Sequence, residues 1–152
     1  MPNAQATEAQ ALLLFDSYAR AVGRPLLETP LRGAALAAAL WEMPAVLVSH
    51  GLESDPLFNY ANAVGLDLFE MDWAQFTATP SRESAEPANQ EARAKVMHAV
   101  ESNGYMADYS GVRIARSGRR FRIEDTVIWN VLDAEGRFCG QAATFPRWTR
   151  LD

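Results

Sequence analysis

From Gly104 onward the chain reads as three strands joined by two short turns, and nothing else in it restricts the fold as much. "YMADYSGVRIA" (105–115) turns at "RSG" into "RRFRIEDTVIWNVL" (119–132), and "DAEG" (133–136) turns into "RFCGQAATFPRW" (137–148). Turns this short join antiparallel neighbours. In the middle strand Phe121, Ile123, Val127, Trp129 and Val131 share one parity, while Arg120, Arg122, Glu124, Thr126 and Asn130 take the other. That alternation predicts one core face and one wet face. Asp125 falls on the core parity and predicts a bulge or a pocket-facing carboxylate.

The preceding hundred residues supply what covers the sheet. Residues 1–9 read as a flexible tail. Ala11, Phe15, Tyr18 and Val22 then form a helical stripe that stops before Gly23 and Pro25. "TPLRGAALAAALWEM" predicts a second helix, with Thr29 as cap, Pro30 in the first turn and Pro44 closing it. "AVLVSH" (45–50) and "PLFNYA" (56–61) read as strands around the turn "GLESD". "AVGLDLFE" (63–70) and "DWAQFT" (72–77) read as short helices capped by Asn62 and Asp72. The longest helical pattern runs from about Ala88 to Ser102 and offers Ala92, Val96, Ala99 and Val100 as its apolar face, with Asn103-Gly104 as its stop. The sum is an α+β domain over residues 10–152: a five-stranded antiparallel sheet with helices on one face, preceded by N-terminal helices.

Length and composition set the outer limits. At 152 residues with 49% apolar and 22% charged side chains, the chain suits one domain with a full hydrophobic core. A single cysteine, Cys139, excludes an internal disulfide and a cysteine-based structural zinc site. No window resembles a signal peptide or a membrane span, so a cytoplasmic location without membrane attachment is the expectation. The net charge of −5 disfavours nucleic acid. Five arginines between Arg113 and Arg122 are the local exception, read as a charged hairpin turn or as a partner or phosphate surface.

The element order looks like the PAS fold, whose cavity lies between sheet and short helices. At residue level the strings "SHGLESDPLFNYAN", "LFEMDW", "PSRESAEP", "GYMADYSGVRIARSGRRFRIEDTVIWNV" and "GQAATFPRW" resemble the MEKHLA domain family, which is PAS-related. That family occurs as the C-terminal domain of plant homeodomain–leucine zipper regulators and as small standalone proteins. The resemblance spans about residues 10–148. The six-letter string that names the family is absent, as are a homeodomain and a zipper, so the chain looks like the standalone bacterial type. What the resemblance implies is a sensory or interaction role with no established chemistry. The flavin-adduct cysteine of photosensory PAS relatives sits on a helix in an asparagine–cysteine–arginine string that is missing here. Cys139 lies on a strand, and flavin photochemistry is not expected.

Several residues invite chemistry. His50, Glu53 and Asp55 could ligate a metal, but their spacing fits no metal pattern, and Asp before Pro commonly serves a turn. No metal is expected. His50 has a suitable ordinary pKa for a base, yet a hydrogen-bonded histidine at a strand end is the plainer reading. Ser81, Arg82 and Ser84 could hold an anion or simply link helices. His98 reads as solvated. The large rings and the small Gly140, Ala142 and Ala143 could frame a cavity of ligand size, or the rings could fill it. The candidate cavity residues are His50, Asn59, Tyr60, Phe69, Trp73, Tyr109, Asp125, Trp129 and Gln141.

Three functions follow. The first is a non-catalytic sensory module binding a small apolar or aromatic ligand, with no cofactor predicted. The second is homodimerisation or partner binding without a ligand, through an N-terminal helix whose Leu12, Leu13, Leu14 and Phe15 exceed one apolar face. The third is a small enzyme using His50 or Asp125 as base in the same cavity, so the sequence leaves enzymatic activity open while favouring its absence.

Overall fold

The structure is a computed structural model that describes residues 4–151. Helices α1 (Ala4–Val22) and α2 (Gly33–Glu42) lead into strands β1 (Val46–His50) and β2 (Phe58–Ala61). Helices α3 (Ala63–Phe69) and α4 (Trp73–Thr77), a 3-10 turn (Ser81–Ser84) and α5 (Pro87–Asn103) follow. Strands β3 (Tyr105–Ile114), β4 (Arg120–Leu132), β5 (Phe138–Phe145) and β6 (Arg147–Leu151) complete the chain. The sheet is antiparallel in the order β2-β1-β5-β4-β3, and β6 pairs with β4. The α+β order is the expected one, and four details differ from expectation.

The last strand is two. Pro146 has no N–H to give a ladder and ends β5. The chain then resumes as β6 along Arg120–Glu124 of the same β4 edge that β5 occupies from Val127 to Leu132. The sheet therefore has six strands, not five.

The expected wet face is a second core. Asp125 takes a left-handed φ of 52°, and the β3–β4 register shifts between Tyr109 and Gly111. That inserts one extra residue on β4 and swaps the parity of everything after it. Phe121 and Ile123 before the bulge share a face with Thr126 and Ile128 after it, the inner face, toward α3 to α5. Val127, Trp129 and Val131 turn outward, where Leu14, Phe15 and Tyr18 of α1 and Leu36 and Leu40 of α2 cover them. Helices thus lie on both faces. The Tyr18 ring meets Trp129 edge-on at 4.9 Å, and Trp129 Nε1 donates to Ser17 Oγ at 3.2 Å. Each large side chain buried this way is worth about 1.5–3 kcal/mol, so α1 is bound to its own sheet.

The N-terminal expectations also move. Helix α1 already runs from Ala4, with Thr7 buried, where a tail to residue 9 was expected; residues 1–3 lie outside the described part. Helix α2 starts at Gly33 with Arg32 at its cap, not at Thr29. Residues 26–31 are drawn into a loop because Leu26, Leu27 and Leu31 pack on the outer core instead of lying on a helix.

Asn62 does more than cap α3. Its Oδ1 accepts from Gly65 N at 3.2 Å and Leu47 N at 3.1 Å, while its Nδ2 donates to Ala45 O at 2.8 Å and Leu40 O at 3.1 Å. Fully buried, it ties α2, β1 and α3 together. Asp72 caps α4 in a capping box with Gln75.

Candidate pocket beneath helix α5

The inner face of the sheet is largely filled. Phe58 stacks on Phe76 at 4.1 Å, and Phe69 meets Phe121 edge-on at 5.4 Å. What remains open is a pocket of about 40 Å³ between the sheet and α5, room for a few water-sized groups. A drug-sized ligand fills a site of about 300–1,000 Å³. Of the two alternatives the sequence leaves open, a cavity of ligand size or rings that fill it, the described residues of the inner face show the second.

The pocket is small but chemically unusual. Val48, Phe58, Phe69, Ile123, Ile128 and Phe145 give it apolar walls. Into these walls project His50 from β1, Ser84 from the 3-10 turn, Arg93 from α5, Arg113 from β3, Thr126 from β4 and Gln141 from β5. All six are at least nine-tenths buried. Gln141 sits opposite both His50 and Asn130 in the ladder, and its Nε2 donates to Met97 O at 2.8 Å, which fastens α5 over the sheet.

Among the described residues, three of these groups have a polar atom with no partner: His50 Nε2, Arg93 Nε and Thr126 Oγ1. His50 Nδ1 lies 3.1 Å from Gly51 O, an oxygen that can only accept, so Nδ1 carries the proton and Nε2 is bare in the neutral ring. Burial is the main cause that pulls the His50 pKa down to about 4, with the Arg93 charge adding to it and the Gly51 bond and Glu53 opposing it. Burial also lowers Arg93, to about 10, and the like charge of Arg113 adds to that. Arg93 stays cationic at neutral pH, and among the described residues neither arginine has an ion pair. Arg113 donates to Val112 O at 2.9 Å and to Tyr109 Oη at 3.3 Å, with its guanidinium carbon 5.6 Å from the Tyr109 ring centre. Gly111 makes that pairing possible, since a Cβ there would overlap Tyr109 Oη.

Of the nine cavity candidates, His50, Phe69 and Gln141 line the pocket, and Tyr109 stands behind Arg113. The others are placed elsewhere. Tyr60 and Trp129 belong to the outer core with Trp73 packed against it, because the bulge between Ser49 and His50 and the one at Asp125 turn those strands outward. Tyr60 Oη has no partner among the described residues, and burial raises its phenol pKa. Asn59 is exposed and accepts from Ser49 Oγ at 2.5 Å. Asp125 is exposed on the bulge and pairs with Arg147. Among the anion candidates, Arg82 is exposed and held by Asp55 at 3.0 Å, while Ser84 Oγ donates to Ser81 O at 2.8 Å. These three do not form an anion site of their own, although Ser84 reaches the pocket. The metal candidates separate likewise: Glu53 accepts from Leu57 N at 3.1 Å and Asp55 faces Arg82. Cys139 lies against the outer core, away from the pocket, where burial raises its thiol pKa.

The sequence reading missed Arg93, Thr126 and Ile128, and placed Arg113 in a surface cluster. Arg93 stands on the buried edge of α5 with Val100, whereas Ala92, proposed for that face, is exposed. For Arg113 a signal existed. It pairs across the ladder with Phe121, a core residue, and alternation from Tyr109 through Gly111 points it inward.

This architecture is similar to solved PAS and light-oxygen-voltage structures. The PAS domain of a Colwellia psychrerythraea protein superposes with a TM-score of 0.63 at 17% identity, covering 71% of this chain and 89% of that one. A light-oxygen-voltage domain solved in a flavin-analogue study gives 0.60 at 18%, covering 78% and 85%. An RNA-binding light-oxygen-voltage receptor gives 0.64 at 17%, covering 84% of this chain and 35% of the receptor. The sequence is 24% identical over 137 residues to the homeobox-leucine zipper protein HOX9 of Oryza sativa, indica and japonica alike, covering 90% of this chain and 16% of that protein. The MEKHLA domain profile matches residues 8–150. With a PAS-like sheet, helices over its inner face and a match across nearly its whole length, the chain belongs to the MEKHLA domain family.

Proposed function

We propose that this domain is a sensory module that binds a small molecule in the pocket beneath α5 and does not transform it. The observation that carries this reading is the convergence of three buried, unpartnered polar atoms, on His50, Arg93 and Thr126, in one pocket. Leaving buried polar groups unsatisfied costs about 1–3 kcal/mol each, and more for charged ones. A chain that keeps three together has a reason beyond packing. The absence of conversion is supported by His50: with a pKa near 4 it is a poor general base at neutral pH. Asp125, the other base considered, is exposed and lies outside the pocket lining. The flavin associated with one of the similar structures needs more room than about 40 Å³ and would have to displace the pocket's aromatic walls.

Self-association through α1 is the lesser reading, because α1 spends Leu14, Phe15 and Tyr18 on its own sheet and leaves Leu12 as the exposed apolar residue of that stretch. Native mass spectrometry of gently purified protein tests both readings. A bound small-molecule mass, lost on mild activation, is the expected result. A bare mass, together with no chemical-shift change at His50, Thr126 or Ile128 across a screen of neutral and charged fragments, would refute the ligand reading.

A further inference from the structure

We infer that the pocket beneath α5 recognises a short organic carboxylate, with a 2-hydroxy acid as its best complement; this rests on the reading of that pocket as a ligand site. Arg93 and Arg113 bring two guanidinium groups into an apolar enclosure, both at least nine-tenths buried. Isolated buried charge is so costly that proteins pair it. Here the residues that line the pocket include no carboxylate, and among the described residues neither arginine has an ion pair. The missing counter-charge is what a ligand would bring.

The free groups narrow its chemistry. Arg93 Nε–H and the Thr126 hydroxyl are donors without partners. Two donors backed by two cations match the two oxygens of a carboxylate. A phosphate, with more oxygens to satisfy, would be served less well. The bare His50 Nε2 is an acceptor, and a hydroxyl beside the carboxylate would answer it. A volume of about 40 Å³ limits the ligand to a few heavy atoms, and the apolar walls exclude a long polar body. The five-arginine cluster of the sequence contributes Arg113 to this site, while Arg116, Arg119 and Arg122 remain exposed.

Isothermal titration of the full chain with L-lactate, its neutral analogue lactamide and inorganic phosphate tests the assignment. Lactate is expected to bind at least tenfold more tightly than lactamide, and more tightly than phosphate. Arg93→Met and Arg113→Met are each expected to weaken lactate binding at least tenfold and to raise the melting temperature of the ligand-free protein. A merely structural arginine would lower that temperature and leave the lactate-to-lactamide ratio unchanged. Lactamide binding as well as lactate, or phosphate binding better, would overturn the carboxylate while leaving a ligand pocket in place. Binding of none of the three would overturn it as well, and a bare native mass together with a silent fragment screen would then remove the sensory reading separately. If neither variant folds, the lactate-to-lactamide ratio on the unmodified protein decides alone.

Discussion

His50 makes the stability of the ligand-free domain depend on pH in a calculable way. Its folded pKa of about 4 lies below the ordinary histidine value of 6.5, because burial in the apolar pocket disfavours the imidazolium. Arg93 and Arg113 line the same pocket and add positive charge, and Glu53 is the acid that opposes them. A depressed histidine pKa means that the unfolded chain binds the proton first as pH falls. Stability is therefore fully present above 6.5, declines between 6.5 and 4, and stays low below that. The full gap is worth about 3 kcal/mol at 1.36 kcal/mol per pH unit, of which about 2 kcal/mol is lost between about pH 7.5 and pH 5. Urea denaturation of the wild type and of His50→Gln at several pH values isolates this contribution, because other acids titrate in both proteins. The wild type should lose about 2 kcal/mol more than the variant over that interval. A difference that stays flat with pH, or an imidazole resonance of His50 that titrates near 6.5, would refute a neutral buried ring.

Asn62→Ala should cost about 3 kcal/mol or more, since it strips partners from the N–H groups of Leu47 and Gly65 and the carbonyls of Leu40 and Ala45 in a fully buried place; equilibrium denaturation at neutral pH measures it, and a loss under about 1 kcal/mol would contradict the hub. Gly140→Ala should cost about 2 kcal/mol or more, because a Cβ there would overlap the carbonyl oxygen of His50 where β5 passes β1. Its thermal midpoint should fall clearly, and an unchanged midpoint would show that the two strands can part without penalty.

Local chemistry made much of the fold legible in advance. Asn62 and Asp72 announce helix starts by residue type, Gly104 announces a stop, and "DAEG" fits a tight turn because Asp133 accepts from both Glu135 N and Arg137 N. These signals lie within a few residues of what they control. The pocket is different. Its lining comes from β1, β2, α3, the 3-10 turn, α5, β3, β4 and β5, and no spacing in the chain joins Arg93 to Thr126. The placement of Trp129 and Tyr60 on the outer side is hidden from the sequence for a related reason. Hydrophobic alternation gives two faces but does not say which helices will cover each one. In the event α1 and α2 took the outer face that alternation alone leaves to solvent.

The bulge at Asp125 acts as a phase slip in an otherwise regular wave. Before it, odd-numbered residues of β4 face the inner helices; after it, even-numbered residues do. One strand thereby serves two cores of opposite orientation. Were Asp125 drawn into the ladder as an ordinary residue, the slip would vanish, and then either Phe121 and Ile123 or Val127, Trp129 and Val131 would have to face the wrong layer. The same offset means that a relative with this architecture need keep no single hydrophobic parity along its longest strand, only a break in that parity at this point.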